Sequence, residues 1–205
     1  MKTASKTGNR NKKVGTGIIT AITVAVVSQG GKAEDLTAVV GHNELLKQLA
    51  AAVIELSRKI IQLVIDYRMT LAQMIIAGKY DRVNSDINAE HFPINGKGKK
   101  AVDIELWHPN RYFKNGDEVI AELKKSKYGY RFATLPELLA LGAAQPELQR
   151  QFLIAALGSI WRRTGYRRFA YLHGSDAMRD LDLGFLGGAF HGYWRFAVVR
   201  DPACR

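Results

Sequence analysis

The chain has 205 residues, 30 Lys and Arg against 19 Asp and Glu for a formal charge of +11, and a single cysteine, Cys204. One cysteine excludes an internal disulfide, a Cys-rich zinc site and a CxxC redox pair. The positive charge suits an anionic partner, but it is divided among a leader (Lys2, Lys6, Arg10, Lys12, Lys13), a connector (Lys97, Lys99, Lys100) and a turn (Arg162, Arg163, Arg167, Arg168). Three separated clusters argue for solvated tails and tips over one groove.

Residues 1–16 carry charge and small polar groups without an apolar period and read as a disordered basic leader. Residues 18–27 are rich in Thr and β-branched side chains and read as a strand, closed by Gln29, Gly30 and Gly31. The basic-then-apolar order of residues 1–28 also matches a secretory signal, which would place the protein outside the cell or at its surface; otherwise a cytoplasmic location is expected. The apolar run is too short to span a bilayer, so no transmembrane segment is expected.

Across residues 44–63, Leu45, Leu49, Ala52, Val53, Leu56, Ile60 and Leu63 recur every three or four positions, the pattern of a helix with one apolar stripe. That stripe packs on its own domain or, because its spacing is near-heptad, joins protomers into an oligomer. Thr70 and Gln73 form a capping box for a short helix, "LAQMIIA", with Gly78 placed to end it in a left-handed conformation. Asn84, Asp86, Asn88 and Glu90 alternate like the first ligands of an EF-hand. Ala89 stands where the sharp turn needs Gly and Asn95 where a bidentate Glu is required, so no metal is expected.

The glycine-rich, charged "NGKGKK" at 95–100 reads as a linker. It divides an N-terminal α/β unit (17–95) of unassigned role from a second unit (101–200). In the latter "AVDIELW" alternates like a half-exposed strand, Asn115 with Glu118 caps a helix, "YRFA" is strand-like, and Thr134 with Glu137 caps "LPELLALG". "FLIAALGSIW" is a buried-strand run, the Thr164-Gly165 turn returns the chain into "FAYL", and "WRFAVVR" is the last strand, after a long irregular excursion. The order predicts an α+β fold with helices packed on an antiparallel sheet.

Catalysis finds little support. The five histidines, His42, His91, His108, His173 and His191, belong to no HExxH, HxE or nucleophile-elbow pattern, and no glycine-rich segment has the strand-turn-helix context of a phosphate-binding loop. The reading is a non-enzymatic protein without a cofactor. "WRRTGYRRF" interleaves cations with Trp161, Tyr166 and Phe169, a pattern able to stack bases and clamp phosphates. The plainer account has the arginines solubilising an exposed strand while the rings cover the sheet.

From Phe152 to Arg205 there is no Lys, Glu or Gln. The stretch "RDLDLGFLGGAFHGYWRFAVVR" combines aromatic and small residues, the composition of recognition loops, where rings give contact area at low entropic cost. Together "YRFATLPELLALG", "FLIAALGSIW", "RDLDLGF" and "GYWRFAVVR" resemble the variable proteins of diversity-generating retroelements, over residues 101–200. The resemblance implies a C-type-lectin-like domain, with a strand feeding a helix and a terminal strand beside a hypervariable loop. It also implies adenine-directed diversification, which cannot produce Lys, Glu, Gln, Met or Trp; Met178 and Trp194 would then be fixed scaffold. Calcium-dependent sugar binding is not implied, because neither Glu-Pro-Asn nor Gln-Pro-Asp occurs, and Cys204 alone cannot supply the cysteines of the formylglycine-generating relatives.

On this resemblance the ligand-binding residues are His173, Ser175, Asp176, Asp180, Asp182, Gly184, Phe185, Gly187, Phe190, His191 and Tyr193, with Phe185, Phe190, His191 and Tyr193 in one exposed patch. Alternation sends Leu181 and Leu183 inward and Asp180 and Asp182 outward, and Arg179 and Arg195 anchor the loop. The partner expected is a protein or other macromolecule. The alternatives are a structural, phage-like assembly component whose loop only packs, and a binder of nucleic acid or another anionic polymer through the hairpin at 161–169.

Overall fold

The computed structural model describes residues 60–126 and 129–200. The leader, the strand at 18–27, the signal-like segment and residues 44–59 of the expected helix lie outside them. Strand β1 (Ile61–Asp66) leads to helix α1 (Leu71–Gly78), strand β2 (Arg82–Val83), strand β3 (Lys99–Trp107) and helix α2 (Gly116–Lys124). Strand β4 (Tyr130–Phe132), helix α3 (Leu135–Ala144) and the short helix α4 (Leu148–Gln151) follow. Strands β5 (Leu153–Arg163), β6 (Tyr166–Gly174), β7 (Arg179–Phe185) and β8 (Trp194–Arg200) complete the described chain.

All the described strands join one sheet in the order β1-β3-β8-β5-β6-β7-β2, with β4 also on β8. The sheet is mixed, because β5 runs parallel to β8 and β2 parallel to β7 while the other pairings are antiparallel. Strand β8 shares one of its edges between two partners: β5 pairs with residues 194–196 and β4 with residues 198–200. The exchange happens where the β5–β6 register shifts between Ala156 and Ile160. There Gly158 donates to the Ala133 carbonyl at 2.9 Å, and a Cβ on Gly158 would sit 2.5 Å from the Phe132 carbonyl oxygen, so only glycine lets the strands approach.

The expected caps form. Thr70 and Gln73 exchange both bonds of the capping box, the Asn115 side chain accepts from the Glu118 N–H, and the Glu137 carboxylate accepts from the Thr134 N–H at 2.7 Å and from its hydroxyl at 2.9 Å. Helix α1, however, turns left-handed at Lys79 (φ 51°), one residue beyond Gly78. Burial alone would raise the Glu137 carboxyl, but the Arg131 guanidinium at 2.6 Å and the Thr134 N–H at 2.7 Å hold it below the usual carboxylate range.

Two expectations require correction. Residues 61–63, assigned to a helix by their spacing, lie in β1, whose Ile61 and Ile65 are buried while Gln62 and Val64 are exposed. A run of β-branched residues satisfies periods of two and of nearly four alike, and the ladder to β3 decides between them. The segment at 95–100 is not a domain boundary: β1 pairs with β3 across it from Ile61↔Ile104 to Asp66↔Lys99, and α1 packs on α3 in a shared core. The end of the supposed N-terminal unit is therefore an integral layer of the sheet domain.

Alternation gives the sheet two differently covered faces. One carries Ile104, Ile154, Leu172, Leu181 and Val199 against Leu71 and Met74 of α1 and Leu138, Leu139 and Leu141 of α3. The other carries Phe169, Phe196 and Val198 against Val119 and Leu123 of α2, with Phe113, Leu186 and Phe190 from loops. A fully buried side chain of this size stabilises by about 1.5–3 kcal/mol. Helix α2 and its loops cover only part of the second face, which leaves the remainder open.

Candidate functional site

The open part of the second face is lined by alternate residues of four adjacent strands, β7, β6, β5 and β8. Register places Asp180 opposite His173 and Asp182 opposite Tyr171, while Ala155 bridges Tyr171 to Phe196, two residues beyond Trp194. A run of rings follows from this placement. Tyr112 meets the His191 edge at 5.4 Å, His191 stacks on Tyr193 at 5.6 Å, and Tyr193 continues to Trp194 at 6.5 Å. Trp194 contacts Tyr171 at 5.3 Å, and Tyr171 stacks on His173 at 5.0 Å.

The outermost rings are open to solvent, Tyr112 at 60% and Tyr193 at 58% exposure. Their backbone is nevertheless held firmly. Phe113 and Phe190 exchange hydrogen bonds at 2.8 and 2.9 Å, Gly116 N–H donates to the Leu186 carbonyl at 2.7 Å, and His108 donates from Nε2 to the Gly192 carbonyl at 2.6 Å. A carbonyl can only accept, so this last bond sets the His108 tautomer.

Beside the rings, Arg82 on β2 grips both oxygens of Asp180, at 2.6 and 3.2 Å, and Asn84 donates to Asp182 at 2.7 Å. Asp180 is consequently only 5% exposed. The Arg82 guanidinium holds its carboxyl below the ordinary value of 3.8, against burial and with help from His173. Burial and the adjacent Asp182 carboxylate push the Tyr171 phenol up. Because the folded Asp180 is the stronger acid, its ion pair contributes fully above about pH 4 and is lost as the pH falls through its lower folded value. The expected result is that the protection of the Asn84 amide, which donates to the Leu181 carbonyl, relative to its intrinsic exchange rate falls below about pH 4, and that Asp180→Asn removes this acid step while weakening the β2–β7 pairing at neutral pH.

The structure gathers His173, Asp182, His191 and Tyr193 around this face and divides the other expected site residues. Phe190 is not exposed: at 1% accessibility it packs between Phe169, Trp194 and Phe196, because its ring faces the sheet while its backbone pairs with Phe113. Asp180 lies on the expected face but beneath Arg82, not outward to solvent. Gly184 faces Phe169, whose ring a Cβ there would overlap at 2.3 Å. Phe185 and Gly187 belong to the far end of β7 near the β5–β6 hairpin. Ser175 and Asp176 are exposed in the β6–β7 turn, where Arg150 donates to both of their carbonyls.

The expected loop anchors also act elsewhere. Arg179 ties helix ends together, and Arg195 lies over the Phe152 ring at 4.7 Å. Asn84 and Asn88, weighed as calcium ligands, instead accept N–H groups of their own turns. Within the hairpin, Phe169 is core and Trp161 stacks on His91 at 3.8 Å, whereas Tyr166 is exposed.

Tyr112, Tyr171, Trp194, Arg82 and Asn84 were not legible as site residues. Tyr171 and His173 do alternate on one strand, which is a usable signal; Tyr112 and Arg82 reach the face only through tertiary packing. Flat, partly exposed rings beside a carboxylate can stack on a partner and accept hydrogen bonds from it.

No protein-family model matches the chain, and no match is found among the curated proteins or the solved structures. What the coordinates define is a mixed α+β domain with a large sheet and few helices. No described helix is long and apolar enough to cross a membrane.

Proposed function

We propose that this is a non-enzymatic binding protein whose sheet domain is C-type-lectin-like, as in the variable proteins of diversity-generating retroelements, and presents an aromatic, small-residue surface to another macromolecule. The observation that carries the reading is the ring-to-ring path from Tyr112 through His191, Tyr193, Trp194 and Tyr171 to the half-buried His173, with Tyr112, His191 and Tyr193 exposed on hydrogen-bonded backbone. Such a platform meets a partner with little ordering cost, the feature that raises affinity in recognition loops. The strand-to-helix passage from β4 to α3 and a terminal strand, β8, beside the 186–193 loop also support it.

The DNA around the coding sequence tests the proposal. An imperfect copy of the segment encoding residues 169–200, beside a reverse transcriptase, is expected to differ at adenines in the codons of the exposed Ser175, Asp176, His191 and Tyr193 and of the half-buried His173. The codons of the buried Phe169, Leu181, Phe190 and Phe196 are expected to match. Differences concentrated at those buried positions, or no such copy, would remove the diversification reading.

A further inference from the structure

The geometry points to a second site, at the tip of the β5–β6 hairpin, that takes single-stranded nucleic acid: phosphate on Arg162 and Arg163, base against Tyr166 and Phe185. A pocket of about 320 Å³ lies there, bounded by Arg162, Arg163, Tyr166, Arg167, Phe185 and Gly187. This site is separate from the ring platform and does not rest on the function proposed for it.

The rings favour a ligand over packing. Of the four aromatic residues that the hairpin and the end of β7 bring together, Trp161 and Phe169 are spent in the two cores, which is what a purely structural hairpin requires. Tyr166 and Phe185 are not. They meet edge-to-face at 5.8 Å and 61° while remaining 58% and 49% exposed, so a flat group has open ring surface to cover. Gly187 keeps that surface free, since a Cβ there would come within 2.7 Å of the Phe185 ring. Gly165, at φ +80°, makes the tight turn that sets Arg163 opposite Tyr166.

The cations are sorted in the same sense. Arg167 is held by both Asp117 oxygens at 2.6 and 2.8 Å, which fixes one wall of the pocket and offsets that charge. Arg162 and Arg163 are exposed and have no ion-pair partner among the described residues. Guanidinium pairs beside open rings match the backbone and base of an unpaired strand, whereas a duplex keeps its bases stacked and presents no ring face. The chain's net charge of +11 suits a polyanion.

The test uses the full chain and a fluorescein-labelled oligothymidylate of about twelve nucleotides, read by anisotropy between roughly 50 and 200 mM salt, with heparin as a polyanion lacking bases. The double variant Arg162→Ala, Arg163→Ala is expected to weaken DNA binding at least tenfold and to reduce the log–log salt slope by about 1.4. Tyr166→Ala and Phe185→Ala are each expected to weaken it about fivefold or more and to leave heparin binding unchanged. Tyr193→Ala is expected to leave it unaltered. All five positions changed are exposed, and unchanged melting of each variant verifies its fold. The assignment is overturned if wild type fails to bind at the lowest salt, if ring and arginine variants bind as wild type does, or if the ring variants lose heparin equally. Tighter binding of duplex DNA, or displacement of the oligonucleotide by an equimolar phosphotyrosine peptide, would also overturn it.

Discussion

Replacing Arg179 with Met is expected to destabilise the protein by about 3 kcal/mol and to lower its Tm by roughly 10 °C. The Arg179 guanidinium is buried and donates to the Gly78 carbonyl at 2.7 Å, the Gly142 carbonyl at 2.6 Å and the Gln149 side-chain oxygen at 3.0 Å. Gly78 ends α1 and Gly142 lies in the last turn of α3, so the cation sits where two helix dipoles place partial negative charge. Tyr80 adds its ring face at 5.2 Å. Methionine fills much of the volume but leaves these acceptors buried without a donor, at about 1–3 kcal/mol each before relaxation. Arg179→Lys keeps the charge but cannot span the three acceptors, and an intermediate loss is expected. Denaturant unfolding of the three proteins decides the matter. A Met variant as stable as wild type would mean that relief from burying the charge cancels the lost bonds.

Phe190→Ala is expected to cost about 3–5 kcal/mol, the range for emptying a buried aromatic site. Its ring lies 5.3 to 5.6 Å from those of Phe169, Trp194 and Phe196, and no solvent can relax into the gap without wetting that core. The consequence reaches the surface, because Phe190 immediately precedes His191 and its backbone is one half of the bridge to Phe113. Loss of the side chain should speed amide exchange at Phe113 and Phe190 along with the loss of stability. Tyr193→Ala removes an exposed ring and is expected to stay within about 0.5 kcal/mol of wild type. On the recognition role proposed for the open face, partner binding is expected to respond in the reverse proportion, with Tyr193→Ala harmful at full stability. Equal stability losses in the two variants would contradict this division between core and platform.

Elements specified by short-range chemistry were readable from the chain. The caps at Thr70, Asn115 and Thr134 each require a side chain and an N–H three residues away, and all three form. The β5–β6 hairpin follows from Thr164-Gly165 between strand-like runs, and β8 from the alternation in "WRFAVVR". Errors arose where two periods fit the same residues, as at 61–63, or where composition implied flexibility. The glycine-rich segment at 95–100 leads straight into β3, and what looked like an irregular excursion after His173 contains β7, paired with β6 along its whole length.

The site was legible only in its strand-borne part. Leu181 and Leu183 point inward as alternation requires, and Asp182 lies on the opposite face. Asp180 shares that face, but nothing in its neighbours announces that Arg82, 98 residues earlier, would cover it. Phe185 and Phe190, five positions apart in a similar glycine-rich context, have opposite fates, one exposed and one entombed. Composition marks both as aromatic; only the bridge between Phe113 and Phe190 determines which ring turns inward.

The amino-acid sequence by itself determined the caps, the hairpin turn, most strand alternation and the concentration of rings and small residues near residues 161–194, because each depends on neighbours a few positions apart. Tertiary structure alone decided that β1 and β2 belong to the same sheet as the later strands, that Tyr112 and Arg82 join the open face, and that Phe190 is core. Those outcomes depend on which distant strands exchange backbone hydrogen bonds, and a pairing across tens of residues is selected by the burial of the whole sheet.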